Sequence, residues 1–198
     1  MASARGDKGS NMAEKLKSRG VAAAIAVVVM VVTVFASGGA KLSALKSQAD
    51  DVFYSGVSGD GLSIYGDLNM RLENAYNICT IAKRSGGDGS VELVSVQSAY
   101  DALAAALNDK APRASLPALN RELTSSVETL YRAMDDYALS ETDETLIARQ
   151  YRSFLSANDT ISHDGYNAKA ADFNETLSGF PANIIAALTR VKPLEFFR

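Results

Sequence analysis

The chain reads as all-α: one N-terminal transmembrane helix followed by an antiparallel, four-helix-type bundle of long helices. Three observations predict this. No charged side chain occurs over the twenty-one residues Gly20–Ala40. Beyond them, apolar residues recur at steps of three and four along four successive segments. No stretch shows the sustained two-residue alternation of a sheet, and no fixed-period repeat is visible.

The uncharged stretch is almost pure Val, Ala, Ile and Met in its first half. As a helix it rises roughly 30 Å, the hydrocarbon thickness of a bilayer. It divides the chain into a basic tail (1–19), an anchor (20–40) and a body (41–198). Residues 1–20 carry five Lys and Arg against two Asp and Glu, and residues 41–198 carry fifteen against twenty-one. The tail is therefore basic and the body acidic. Basic residues beside a first hydrophobic segment resist translocation, so the tail is expected in the cytoplasm and the body on the far face of a bacterial inner membrane, single-pass. A cleaved signal peptide competes for residues 1–40, sharing the basic lead and the small residues Ala36–Ala40. An acidic body lacks the basic footprint that nucleic acid requires.

The body has the size of one domain with its own core. With 47% hydrophobic residues, 8% aromatic, no Trp and four Pro, the whole chain is unlike a disordered or collagen-like one. A lone Cys79 forms no internal disulfide, so packing alone holds the fold.

Lys41, Leu42, Leu45, Ala49, Val52 and Phe53 have helical spacing, and Gly56, Gly59 and Gly61 break the pattern. Tyr65, Leu68, Leu72, Ala75, Cys79 and Ala82 mark the next helix, which stops at the loop Ser85–Ser90, whose Asp and Ser residues suit N-caps. Leu93, Val96, Tyr100, Leu103 and Leu107 give a coiled-coil-like stripe, and Pro112 and Pro117 bound a turn. Leu119, Leu123, Val127, Leu130, Met134 and Tyr137 repeat it. From Asp143, the residues Ile147, Tyr151, Phe154, Leu155, Ile161, Tyr166, Phe173 and Leu177 predict one long helix with Gly165 as the place for a bend. Gly179-Phe180-Pro181 ends it, and Ala182–Thr189 forms a short last helix before Leu194, Phe196 and Phe197.

Within the C-terminal third stands Tyr166-Asn167, six residues, Asn174, five residues, Phe180-Pro181, then Asn183 and Ile184-Ile185-Ala186. This pattern resembles the LemA family, and the aromatic close Phe196-Phe197 is similar to the end of the family domain. The specific match covers 166–197, with a weaker one over about 62–160. There the family's Asp-Leu-Ile-Pro-Asn-Leu element is replaced by Leu72–Ile78, marking a divergent member. The resemblance implies a membrane-anchored helical bundle with no settled enzymatic activity.

The residues present few means for chemistry. One His, one Cys and no phosphate-cradling glycine loop leave no catalytic, cofactor or metal site to assign. His163 beside Asp164 reads as an ordinary helix residue, because adjacent helical side chains diverge by about 100°. Cys79 reads as a small core residue. Asp135-Asp136 and Glu141–Glu144 lack the alternating spacing of a calcium loop, and Thr142 or Asp143 suits the N-cap of the long helix.

Tyr166, Asn167, Phe173, Asn174, Phe180, Pro181 and Asn183 are the candidate structural or recognition residues. Asn is a poor helix former and usually has a hydrogen-bonding task. Asn167 and Asn174 stand seven apart on one stripe, placed to bridge to a neighbouring element or to line a recognition surface. The expected function is a non-enzymatic structural or interaction module. Its partners are membrane lipid through 20–40 and a membrane or envelope protein, with a second copy of the chain as a further candidate. The alternatives are a secreted bundle after cleavage, or a ligand-sensing accessory subunit that signals through an associated protein.

Overall fold

The computed structural model describes residues 19–57 and 62–198, and the tail before Arg19 and Gly59 and Gly61 of the glycine break lie outside them. Every regular element among the described residues is helical: α1 (Arg19–Ser55), α2 (Ile64–Ala82), α3 (Val91–Asn108), α4 (Leu116–Ala133), α5 (Glu141–His163), α6 (Tyr166–Ser178) and α7 (Ala182–Thr189). A π turn, Lys83–Gly87, extends α2, and single 3₁₀ turns precede and follow α4. The chain forms two compact units. One joins the described part of Met1–Ala44 to Leu177–Lys192; the other joins Leu45–Thr176 to Pro193–Arg198.

In the first unit, α1 carries the apolar stretch. Its most hydrophobic 18-residue window has a mean hydropathy of 2.5 and none of it is buried, so this helix is long and apolar enough to cross a membrane. The helix runs on to Ser55 without a break at Lys41. Two adjacent glycines give α7 its seat. A Cβ on Gly38 would lie 2.7 Å from Ile185 Cδ1, and one on Gly39 would lie 2.5 Å from Thr189 Cγ2. Small residues let two helices approach this closely.

The second unit holds the main core. Three of its helices, α2, α3 and α5, start where a serine hydroxyl accepts an otherwise unpaired backbone N–H: Ser63 from Gly66 (3.1 Å), Ser90 from Leu93 (3.2 Å) and Ser140 from Asp143 (3.1 Å). Ser140 therefore caps α5, replacing the expected Thr142 or Asp143. Asp143 instead pairs with Arg84, which, with the Ser140 hydroxyl, holds its carboxyl below the usual range. Pro117 sits in the first turn of α4, where its missing N–H costs little.

Between α2 and α5, Arg71 reaches the Phe154 carbonyl, Asn74 the Ser153 hydroxyl and Asn77 the Gln150 amide oxygen, so partner numbers fall as the α2 numbers rise. Asn120 bonds Asn158, and Tyr131 stacks on Tyr151 at 3.9 Å, in the same falling order between α4 and α5. Ser95 and Ser126 link α3 to α4. Around these pairs Leu68, Ala75, Ile78, Val96, Leu103, Leu123, Val127, Leu130 and Phe154 are fully buried. Leu130→Ala removes buried methyl groups that close packing cannot replace, and is expected to lower stability by about 2–5 kcal/mol in a urea titration.

Two further expectations need correction. The long helix from Asp143 is two helices: α5 ends at His163, and Asp164 turns extended at ψ 140°. The Asp164 carboxylate then accepts the Tyr166 N–H at 2.7 Å, opening α6. Gly165 stands under Val57, whose methyl a Cβ would meet at 2.6 Å, so the break lets two segments touch. Leu155 is exposed, and Ala157 takes the inward position because the apolar stripe drifts round the helix. In α2 the expected Leu68, Leu72, Ala75, Cys79 and Ala82 are buried and Tyr65 is half-buried, and the innermost line also takes in Ile64, Arg71 and Ile78.

Candidate functional site

The C-terminal motif residues fall in both units, and each group is described in its own. In the second unit, α6 presents Asn167 and Asn174 to the extended tail Pro193–Arg198. Asn174 Nδ2 donates to the Leu194 carbonyl (2.9 Å) while its Oδ1 accepts the Leu194 N–H (2.8 Å). Asn167 does the same with Phe197, at 2.6 and 2.8 Å. Each amide thus stands in for a neighbouring strand, offering one donor and one acceptor to a single residue. The spacings agree. Seven helical residues rise about 10.5 Å, and three residues of extended chain cover about 10 Å, so two amides on one stripe meet tail residues three apart.

Tyr166 locks the same tail. Its ring is fully buried, and its hydroxyl donates to the Glu195 carbonyl at 2.6 Å. Phe53 packs edge-on against it at 5.5 Å, and Phe197 joins the cluster 6.4 Å from Phe53. Arg113 lies 4.1 Å over the Phe53 ring while bonding Asp50 at 2.6 Å, so a cation caps the aromatic group and is itself neutralised. Burial pushes the Tyr166 hydroxyl above the ordinary tyrosine value, keeping it a donor. Phe173 is buried at the rim of a groove of about 360 Å³, lined also by Leu45, Ala49, Val52 and Thr176.

In the first unit, Phe180 is 82% exposed and the Phe180–Pro181 peptide is cis. Pro181 precedes the first turn of α7, and the side chain of Asn183 is exposed, its Oδ1 accepting the Ile184 N–H. Of the seven motif residues, Tyr166, Asn167, Phe173 and Asn174 hold buried structure together in one unit, whereas Phe180 and Asn183 face outward in the other.

The other chemistry-bearing residues stand apart. His163 is exposed and its Nδ1 donates to the Asp159 carbonyl at 2.9 Å. Cys79 is buried, and burial pushes its thiol up to about 11, away from reactivity. Among the described residues, no three His, Cys, Asp or Glu side chains stand close enough to share a metal ion.

Two buried ionisable residues were not assigned inward by the sequence pattern. Arg71 is completely buried, its guanidinium 3.8 Å over the Phe154 ring, donating to the Phe154 carbonyl (2.7 Å) and to Thr124 Oγ1 (2.5 Å). Burial lowers it to about 10. It interrupts an apolar line, the one signal that could have revealed it. Asp67, one turn earlier, is buried with Oδ2 unpartnered. Burial, then the Asp164 carboxylate, pushes the Asp67 carboxyl up from 3.8, and burial also raises Asp164. A carboxyl raised in the folded state holds its proton longer there than in the unfolded chain. This contribution is full below the unfolded value and is lost as pH rises through the folded one. Asp67→Asn is therefore expected to gain stability on wild type between mildly acid and neutral pH, read from urea midpoints. Equal pH slopes for the two proteins would count against the assignment.

No protein-family model, no curated protein and no solved structure matches the chain.

Proposed function

We propose that this chain is a single-pass, membrane-tethered module of the LemA type, a non-enzymatic structural or interaction protein. In this reading its antiparallel helical bundle stands at the extracytoplasmic face of a bacterial inner membrane. The observation that carries the proposal is the apolar surface of α1: an 18-residue window of mean hydropathy 2.5 with none of it buried. In water such a surface would aggregate; in lipid it is solvated. The basic tail and acidic body support the orientation.

Retention of the anchor is supported at Gly38 and Gly39. Cleavage after Ala40 would remove the residues on which Ile185 and Thr189 rest and would cut inside a continuous helix. The antiparallel arrangement is supported by the falling order of bonded pairs between α2 and α5 and between α4 and α5. The LemA reading draws on the motif, whose two asparagines share one task, holding the aromatic tail.

An alkaline carbonate wash of membranes separates the alternatives. The full chain is expected to stay in the pellet, whereas release into the supernatant would overturn the anchor. Chemical cross-linking in intact membranes then tests the interaction role, which predicts a reproducible neighbour on the body and fails if none rises above background.

A further inference from the structure

Beyond the anchor, the first unit carries a second apolar surface with its own charge pattern. On α7, Ile184 and Leu188 stand four residues apart on one face and are 45% and 64% exposed, and Phe180, just before the helix, is 82% exposed. A line of large apolar side chains left in water marks a surface that another phase or molecule covers. Gly38 and Gly39 fix where this line stands, because Ile185 and Thr189 rest on them. Gly39 lies about 28 Å along the helix from Gly20, at the end of the uncharged stretch, the level of the headgroup boundary for a spanning helix.

The direction of α7 follows from the same contacts. Ile185 and Thr189 stand about 6 Å apart along α7, yet meet neighbouring residues of α1 that differ by about 1.5 Å in height. The short helix therefore crosses α1 steeply. If α1 runs through a bilayer, α7 lies near its plane, the posture of an interfacial helix.

Charge identifies the occupant. Residues 20–44 and 177–192 contain Lys41, Arg190 and Lys192 and no Asp or Glu, in a chain whose net charge is −3. An acid-free cationic collar beside exposed apolar side chains complements anionic lipid headgroups over an acyl layer.

We propose that residues 179–192 form a second membrane contact. Phe180, Ile184 and Leu188 enter the bilayer surface beside the end of α1, and Arg190 and Lys192 meet anionic headgroups. The inference rests on the reading of α1 as a membrane span, and it gives Phe180 of the motif a lipid rather than a protein to bind.

Nitroxide labels test it on the full chain in vesicles of phosphatidylethanolamine and phosphatidylglycerol. Single Phe180→Cys, Ile184→Cys and Leu188→Cys variants are labelled in a Cys79→Ala background, with Val29→Cys for the span and Tyr76→Cys for the exposed body surface, since Cys79 lines the same cavity as Tyr76. Collision with oxygen, which concentrates in lipid, is compared with collision with a water-soluble nickel chelate. At 180, 184 and 188 the oxygen-to-nickel ratio is expected to exceed that at 76 several-fold and to approach that at 29. A lipid-like ratio at 29 with a water-like ratio at 184 and 188 overturns the second contact and leaves the anchor standing. Water-like ratios at all positions overturn both. Shielding from both reagents at 184 and 188, with spin–spin broadening, would show a second copy covering the face and would also overturn the proposal. Exchanging Arg190 and Lys192 for Glu is expected to lower the ratio at 188, with no change at 29.

Discussion

Arg71→Ala lowers the stability of the second unit by about 3–5 kcal/mol, the larger of the two effects expected here. The substitution removes a fully buried side chain whose stem fills the core between α2, α4 and α5. It also removes two charge-assisted hydrogen bonds, each worth about 1.5–3 kcal/mol, partly offset by the desolvation of the guanidinium. That desolvation is real, since burial brings the group down to about 10; it nevertheless remains charged at neutral pH. Arg71→Lys is expected to rescue little. An ammonium cannot lie flat 3.8 Å over the Phe154 ring while reaching both the Phe154 carbonyl and Thr124. Arg71→Met, which keeps the volume and drops the charge, is expected to recover more than the lysine. Urea unfolding of the full chain in detergent, followed by helical circular dichroism, reads all three. An alanine variant with an unchanged midpoint would show that the guanidinium is not part of the core.

Asn174→Leu is expected to cost about 2–4 kcal/mol, and Asn167→Leu a similar amount. Leucine matches the volume but leaves the N–H and C=O of a buried tail residue without partners, at about 1–3 kcal/mol for each unpaired group. The double variant falls short of the sum, because both amides hold one segment and the first loss already frees part of it. Asn174→Asp discriminates further. A carboxylate still accepts the Leu194 N–H but faces the Leu194 carbonyl with a second acceptor, so this variant is expected to behave much like the leucine one. Carboxypeptidase digestion gives the local reading: tail residues resist in wild type and are trimmed in the variants. If the leucine variants keep wild-type stability and tail protection but lose a cross-linked neighbour, the asparagines serve recognition instead.

The helical class was legible because it needs only periodicity. Leu93, Val96, Tyr100, Leu103 and Leu107 recur at three and four, and all are buried except the half-buried Tyr100. Breaks were less legible. Ser140 and Asp164 punctuate the chain through side-chain hydrogen bonds to particular N–H groups, and the sequence around them offers several equally competent cappers. Arg71 was invisible to a hydrophobic stripe because a charged residue is by default assigned outward, although it stands on the innermost line of α2. At the site, the seven-residue interval between Asn167 and Asn174 was readable. Its partner was not, since the tail contributes backbone groups that no sequence pattern distinguishes. The seat of α7 was hidden for a related reason. Gly38 and Gly39 sit among other small residues, and their role emerges only against Ile185 and Thr189.

In the proposed topology residues 20–40 cross a bilayer and leave the acidic body on the outer side. Its most direct test is protease shaving of intact spheroplasts expressing the chain with one epitope at each end. Complete loss of the C-terminal epitope is expected, with a small protected fragment, carrying the N-terminal epitope and the span, that stays with the membrane. A C-terminal epitope protected until the membrane is permeabilised would contradict the orientation, and a full chain recovered in the soluble fraction would contradict the anchor itself.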